Sequence, residues 1–427
     1  MNIIHTADWH LGNTFHGYSR LEEHRHFLEW LLGVLRARRP DVLLVTGDVF
    51  DSANPSAAAE RLYYNFLMQA VQAVKGLQVV ITAGNHDSPG RLEATAEMLR
   101  AFNVYVRGYV HRDPETDEPD VESLLLPLSS RLSPEAQVVC FALPFLRPGD
   151  YPGGLSVQEG IAWYLDRLTR RLRKSDFRGL PVVVAAHFYA AGAEICAGEH
   201  SERLVVGGQD CVDARAVACG AAYTALGHLH KAQQVGEGAD ALHYAGSALP
   251  MSFSEKGYHH GVTAVEIDAA GHATTARIDY TPQRPLVSIP ERGAAAPADV
   301  LAACAALPSR REEPDEATWP YLEIRVEERQ PEPGLLHEVT ARLADRAVRL
   351  CRMVREVPDS PAPDAEGNPP QSLHRLEPAD VARRFFENRY HAAMPDGLAA
   401  RFERAAREAA DESAAAPEAP SPKSEQL

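Results

Sequence analysis

A layered α/β fold followed by a smaller α+β unit is what this sequence predicts, and three observations predict it. Short apolar runs alternate with helix-periodic segments through the first 280 residues. Composition shifts at Thr281-Pro282-Gln283-Arg284-Pro285, after which a strand–helix–strand–helix–strand order begins. Finally, one apolar run after another ends in aspartate, asparagine or histidine.

The first strand, 2–5, runs into Ile4-His5-Thr6-Ala7-Asp8-Trp9-His10-Leu11-Gly12. In an extended chain, side chains at i and i+2 project to the same side, so Asp8 and His10 can reach one point beyond the strand end. A helix is expected over 20–39, where Leu21, Leu28, Leu31, Leu32 and Leu35 keep helical spacing and arginines gather at the C-terminal end. The strand at 42–46 leads into Gly47-Asp48-Val49-Phe50-Asp51, and that at 77–82 into Ala83-Gly84-Asn85-His86-Asp87. Helices are expected over 57–74, 91–102 and 157–173, and a further strand over 138–143. The strand at 181–186 stops at His187, and that at 223–226 stops at Gly227-His228-Leu229-His230. Strands at 242–245, 262–267 and 275–280 follow without long helices between them, so the sheet is expected to turn antiparallel or to split into two facing sheets.

The second unit reads as strand 286–289, helix 298–305, strand 321–326, helix 334–344 and strand 348–354. Five segments result: a main domain over 1–281, a small one over 282–357, a Pro-rich linker over 358–377, a helical segment over 378–411, and a tail over 412–427 expected to be disordered. The helical segment carries Phe385, Phe386, Tyr390, Leu398 and Phe402 without an evident core of its own, which favours a partner surface.

Bulk composition is that of a soluble chain: 45% apolar and 24% charged, with no apolar run long enough to cross a membrane and no secretory leader. The six cysteines form no CxxC pair and read as reduced thiols, so a cytoplasmic location is expected. The net charge of −16, from 43 basic and 59 acidic residues, argues against unaided binding to nucleic acid but not against binding with a partner.

The strand ends carry the chemistry. In open α/β sheets the C-terminal ends of strands face one crevice, and here five such ends each deliver a side chain able to bind metal. Two divalent ions roughly 3.5–4 Å apart can clamp an in-line phosphoryl displacement, and they need a shared anionic ligand. Asp48, behind its glycine, is the natural bridge. Imidazoles and an amide oxygen fill the other positions without accumulating negative charge. Such a His, Asp and Asn set suits Mn²⁺, Fe²⁺ or Zn²⁺ better than Mg²⁺ or Ca²⁺.

These motifs, D-x-H, GDxxD, GNHD, a lone strand-end histidine and GHxH in that order, resemble the calcineurin-like metallophosphoesterases. Within that superfamily, HTADWHLG, VTGDVFDSANPS, AGNHDS, LPFLRP, YTALGHLHKAQ and YAGSALPMSFSE look like segments of the SbcD family, the nuclease subunits of bacterial SbcCD complexes. The resemblance implies a β-sandwich flanked by helices, a capping domain, and two metal ions, Mn²⁺ foremost. By the family pattern Asp8, His10, Asp48 and His230 hold one ion, and Asp48, Asn85, His187 and His228 hold the other. His86 faces the scissile phosphate, oriented by Asp87. The resemblance further implies exonuclease action on double-stranded DNA ends and endonuclease action on single-stranded or hairpin DNA, in DNA repair, recombination and replication. It implies a homodimer joined to an SMC-like ATPase, SbcC, in a heterotetramer, on which the C-terminal helices dock. One departure stands out: Asp51 occupies the place where archaeal and eukaryotic relatives carry a second catalytic-side histidine. A phosphodiesterase acting on small phosphoesters is the rival reading, and a non-catalytic scaffold a weaker one.

Other residues get plain expectations. His24 and His26 are expected to be solvated on their helix, and His259 and His260 to lie at the surface. His16, Arg20 and Arg147, near the metal loops, are expected to be solvated loop residues, with contact to DNA phosphate the alternative.

Overall fold

Alternation of side chains along the strands gives each face of each sheet its own core. A computed structural model describes residues 1–194, 211–238, 241–328, 332–356, 378–402 and 404–405. The chain forms two compact units, Met1–Val287 with Asp315–Tyr321, and Ser288–Pro314 with the chain from Leu322 onward.

In chain order the first unit contains β1 (Asn2–Thr6), α1 (Leu21–Arg38), β2 (Val42–Thr46), α2 (Ala57–Ala73), β3 (Gln78–Thr82) and β4 (Val104–Arg107). Then come β5 (Leu125–Ser129), β6 (Ala136–Ala142), α3 (Val157–Arg173), β7 (Val182–His187), β8 (Tyr223–Gly227), β9 (Gln233–Val235), β10 (Leu242–Tyr244), β11 (Gly261–Ile267) and β12 (Ala273–Asp279). They make two six-stranded sheets, ordered β12-β11-β1-β2-β3-β4 and β9-β10-β8-β7-β6-β5. The strands β1-β2-β3-β4 and β10-β8-β7-β6 run parallel, so their C-terminal ends share a direction within each sheet.

Ile3, Val42, Leu44 and Val80 of the first sheet pack with Val138, Cys140, Val183, Ala185 and Ala225 of the second. Their neighbours Ile4, Leu43, Val45, Val79 and Ile81 face the other way, onto α1 and α2 through Phe27, Leu31, Tyr63 and Leu67. Val139, Phe141, Val184 and Ala186 likewise meet Tyr164, Leu165 and Leu168 of α3. The layers are therefore helix, sheet, sheet, helix. The splitting into two sheets expected for the later strands is realised.

Where sequence and structure differ, the cause is local. The helix expected at 91–102 is two short turns, Pro89–Glu93 and Ala96–Arg100. Strand β5 escapes the sequence reading because Pro127 sits mid-strand, which is tolerated only at a sheet edge, where β5 lies. Strand β9, Gln233-Gln234-Val235, is a polar edge strand with too little alternation to announce itself. Strand β4 alternates, with Val104 and Val106 buried, but is short and sits between helical turns and a loop.

From Leu286 onward the chain carries β13 (Leu286–Ile289), α4 (Pro297–Ala305), β14 (Tyr321–Glu327), α5 (Leu335–Leu343) and β15 (Arg349–Glu356), with the sheet ordered β13-β14-β15. Leu322, Ile324 and Val326 are buried, as are Val300 and Cys304 of α4 and Val339 and Leu343 of α5. In the helix α6 (Pro378–Tyr390), Phe385 is exposed, but Phe386 is buried and lies 4.7 Å from the Tyr390 ring. Phe386 is thus not free for a partner. The linker at 358–377 and the tail at 412–427 lie outside the described residues. Among the described residues no helix is long and apolar enough to cross a membrane.

Candidate metal centre

Past the ends of β1 and β2 the two chains stay hydrogen-bonded, and this holds the first candidate donors. Asp8 N–H donates to the Gly47 carbonyl at 3.1 Å, His10 N–H to Asp48 at 3.0 Å, and Leu11 N–H to Val49 at 2.9 Å. The backbone here is not extended. Asp8, His10 and Asp48 have φ of 50°, 46° and 47°, and His228 has 100°, a region that non-glycine residues enter at a cost. Strand alternation therefore selects the right pair for the wrong reason. A left-handed turn at each residue is what places Asp8 and His10.

Space is as constrained as the backbone. A Cβ on Gly84 would stand 2.1 Å from Asp48 Oδ1, and one on Gly47 would stand 2.1 Å from His187 Nδ1. These two positions must lack a side chain for the loops to close on one another.

The structure brings Asp8, His10, Asp48, Asn85, His86, His187, His228 and His230 together. His187 Nε2 lies 2.9 Å from Asn85 Oδ1 and 3.4 Å from Asp48 Oδ2. His228 Nδ1 is 3.0 Å from the same Asn85 oxygen. On the other side, His10 Nε2 is 3.2 Å from His230 Nε2 and 3.8 Å from Asp48 Oδ2. Asp48 faces both groups. Asp8 accepts the His228 N–H, at 2.9 Å to Oδ1 and 3.2 Å to Oδ2, and Asp48 Oδ1 accepts the His86 N–H at 2.8 Å.

These separations test whether the residues suit a metal. Two donors bonded to one ion at roughly 2.0–2.2 Å and at 90–110° stand about 3–3.5 Å apart. The donor pairs around Asp48 fall at or near that spacing. Two imidazole nitrogens meeting head-on at 3.2 Å are also poor partners for each other when His230 Nδ1 already faces Glu255 Oε1 at 3.1 Å and His10 Nδ1 is buried without a partner. The set fits divalent metal. A further triad, His10, Asp51 and His86, also has donor atoms close enough to share an ion.

Electrostatics point the same way. Burial and the Asp48 charge pull on His187 in opposite directions, and Asp48 wins, raising its pKa to about 9. Burial likewise opposes ionisation of Asp48, yet His187, His10 and His86 hold its carboxyl well below the ordinary range. Burial lifts Asp8 to about 7 and drops His228 to about 3, so the latter offers a neutral lone pair.

His86 does not take its orientation from Asp87. Its Nδ1 donates to the Asp51 carbonyl at 2.9 Å. The Asp87 carboxylate accepts backbone N–H groups of Phe50 and Gly84 at 2.9 Å and of Val49 at 3.2 Å. It braces the two loops beneath the site. Burial and the nearby Asp48 charge raise it to about 6.

Several expectations for residues outside the donor set are corrected. His24 and His260 are buried, not solvated or at the surface, and His260 Nδ1 donates to the Ser247 carbonyl at 3.0 Å. Arg20 is fully buried, bonded to Glu23 at 2.9 Å and to the Pro250 carbonyl. Arg147 is half-buried over the Phe145 ring. His26, His259 and His16 are exposed. Sequence reasoning gave Glu255 no role, although it closes the YAGSALPMSFSE segment.

A family profile described as calcineurin-like phosphoesterase matches residues 1–232, and the chain belongs to that family of metal-dependent hydrolases. A second profile, the type 5 capsule protein repressor C-terminal domain, matches residues 282–390. The D subunit of nuclease SbcCD from Rhodobacter capsulatus is 38% identical over 389 residues, 88% of this chain and 92% of the relative. Its namesake in Bacillus subtilis is 32% identical over 355 residues, 79% of this chain and 85% of the relative. That of Escherichia coli K12 is 32% identical over 277 residues, 62% and 65% of the two chains. Within the phosphoesterases, the chain is a member of the SbcD family of nuclease subunits.

Proposed function

We propose that this chain is a Mn²⁺-dependent DNA nuclease subunit, cutting double-stranded ends as an exonuclease and single strands or hairpins as an endonuclease. The observation that supports this most is the donor set gathered around Asp48, on a chain of the SbcD family. Asp8, His10, Asp48 and His230 would hold one ion, and Asp48, Asn85, His187 and His228 the other. Bound there, two divalent ions supply an activated water and draw charge from the phosphate oxygens.

The chain's own residues do the rest. His86, with Nδ1 tied to the Asp51 carbonyl, keeps Nε2 for the phosphate and meets its developing charge or delivers a proton. Asp87 keeps the loops bearing Asp48 and Asn85 in register through three backbone amides. The Thr46 carbonyl accepts His187 Nδ1–H at 2.9 Å, which leaves Nε2 as the donor atom.

The names of the relatives support a partnership with an SbcC-type subunit. The fuller reading is that this partner is an ATPase, and that a homodimer of this chain forms part of a heterotetramer acting in DNA repair, recombination and replication. Such a complex would work in the cytoplasm at the nucleoid. Exposed Phe385, Leu398 and Phe402 are the docking candidates. Phe385→Ala should weaken co-purification with the ATPase by about 2 kcal/mol, the worth of an aromatic anchor, and leave basal cleavage intact.

The decisive experiment compares an end-labelled hairpin with a small chromogenic phosphodiester, with Mn²⁺ and with or without the ATPase. Hairpin cleavage that the ATPase stimulates is expected. Turnover of the small diester alone would replace this reading with a small-molecule phosphodiesterase.

A further inference from the structure

A histidine that binds metal through one ring nitrogen needs the other held, because that bond fixes the tautomer and raises the ligand's basicity. The histidines here are held unequally. His187 leans on a neutral backbone carbonyl, that of Thr46, at 2.9 Å, and the carboxylate beside the same nitrogen, Asp8 Oδ1 at 3.9 Å, is itself a candidate metal donor. His230 leans on a carboxylate, with Nδ1 3.1 Å from Glu255 Oε1. His10 Nδ1 has no hydrogen-bond partner, and Asp51 Oδ1 stands 3.6 Å from it.

Glu255 is firmly placed. It is 2% exposed, and its second oxygen accepts the Met251 N–H at 2.8 Å. The preceding Pro250 carbonyl is gripped by Arg20 at 2.5 Å, and Arg20 is locked against Glu23, which also receives Arg284 Nη1 at 3.2 Å and the Tyr321 hydroxyl at 2.6 Å. The acid behind His230 therefore stands on a loop gripped at Pro250 and closed on itself at Met251. None of these groups stands behind His187 or His228.

We infer, on the basis of the two-metal reading above, that Glu255 is a positioning residue for His230, with Asp51 in the same part for His10. The two metal positions are then unequal by construction. The one formed with His10 and His230 has carboxylates both as donors (Asp8 and Asp48) and behind its histidines, and it holds its ion tightly. The one formed with Asn85, His187 and His228 has a single carboxylate donor and neutral support, and it exchanges its ion.

The test is calorimetric titration of the chelator-stripped full chain with Mn²⁺. Wild type should take up two equivalents of unequal affinity. His228→Ala leaves the carboxylate-backed position and His230→Ala leaves the other. Glu255→Gln retains an oxygen for the Met251 amide but no charge. It should weaken the ion remaining in the His228→Ala background by about 10–100-fold and shift that in the His230→Ala background by less than about twofold. Equal losses in both backgrounds, or none in either, overturn the inference. Should Glu255→Gln fail to fold, Asp51→Asn, at a partly exposed position, is read in the same two backgrounds, where unequal losses support the inference and equal ones overturn it. A wild-type chain that binds fewer than two equivalents refutes the two-metal reading itself, a result distinct from failure of the positioning claim.

Discussion

Asp48 in the first unit and Glu323 in the second are both carboxylates withdrawn from water, with side chains 3% and 5% exposed, and they are met in opposite ways. Glu323 sits in a regular strand, and Arg352 Nε reaches it at 2.8 Å while the Ser288 hydroxyl donates at 3.0 Å. Its charge is cancelled where it stands. Asp48 sits at positive φ, faces imidazoles at 3.4 and 3.8 Å, and has no guanidinium in contact among the described residues. A buried acid answered by arginine is architecture. One answered by rings that can lose a proton is an invitation to a cation.

The largest effect that would break this contrast belongs to Asp48→Ala. Removing the one donor that faces both groups should empty both metal positions and abolish cleavage of every DNA substrate, while the apolar cores keep the fold. Metal analysis decides the point: a variant that still carries two Mn²⁺ removes Asp48 from the bridging role. His86→Ala should be milder and of another kind, with turnover lower by about 10²–10⁴-fold and metal content unchanged. Loss of one metal equivalent would move His86 among the ligands.

In the second unit the corresponding cut is Arg352→Ala. It strands Glu323 without its counter-charge and should cost about 3 kcal/mol, at the low end for a buried pair because the arginine is partly exposed. A lowered denaturant midpoint with unaltered Mn²⁺ uptake is the expected result. A change in uptake would mean that the pair is not merely architectural.

The smallest effect concerns His24, which is fully buried with no hydrogen-bond partner on either ring nitrogen among the described residues. Burial and then the Arg20 charge lower its pKa to about 3, from 6.5. The unfolded chain takes up a proton that the folded chain refuses. Stability is therefore full above pH 6.5 and falls as the pH drops towards 3, by about 1.4 kcal/mol per pH unit. His24→Leu should flatten the fall between pH 6.5 and 5 by about 2 kcal/mol, read from denaturant unfolding at each pH. An unchanged slope would show that another group carries the acid sensitivity.

Much of the candidate site could be read from sequence, because each donor follows a strand whose apolar run is plain. Val42–Thr46 delivers Asp48, and Tyr223–Gly227 delivers His228 and His230. What sequence could not supply was whatever depends on distant segments meeting. Glu255 gains its meaning from His230, 25 residues earlier, and Arg20 from Pro250, 230 residues later. His24, on a helix that mixes charged and apolar residues, and His260, in a turn before a strand, looked like surface residues, and only tertiary packing buries them. Edge strands such as Leu125–Ser129 were lost for a related reason: a proline that forbids an inner strand is harmless at a rim.

The donors divide between the two sheets: Asp8, His10, Asp48 and Asn85 follow strands of the first, and His187, His228 and His230 belong to the second. Gly47 of the first sheet lies so near His187 of the second that a single methyl would collide. The centre is thus a seam, and neither sheet carries a usable half of it. Residues more than 130 positions apart must already be stitched together before any ion can find its full set of donors, so closing long chain loops precedes metal capture. An ion that arrives there rivets the sandwich shut, and its binding energy adds to the resistance of the whole first unit to unfolding.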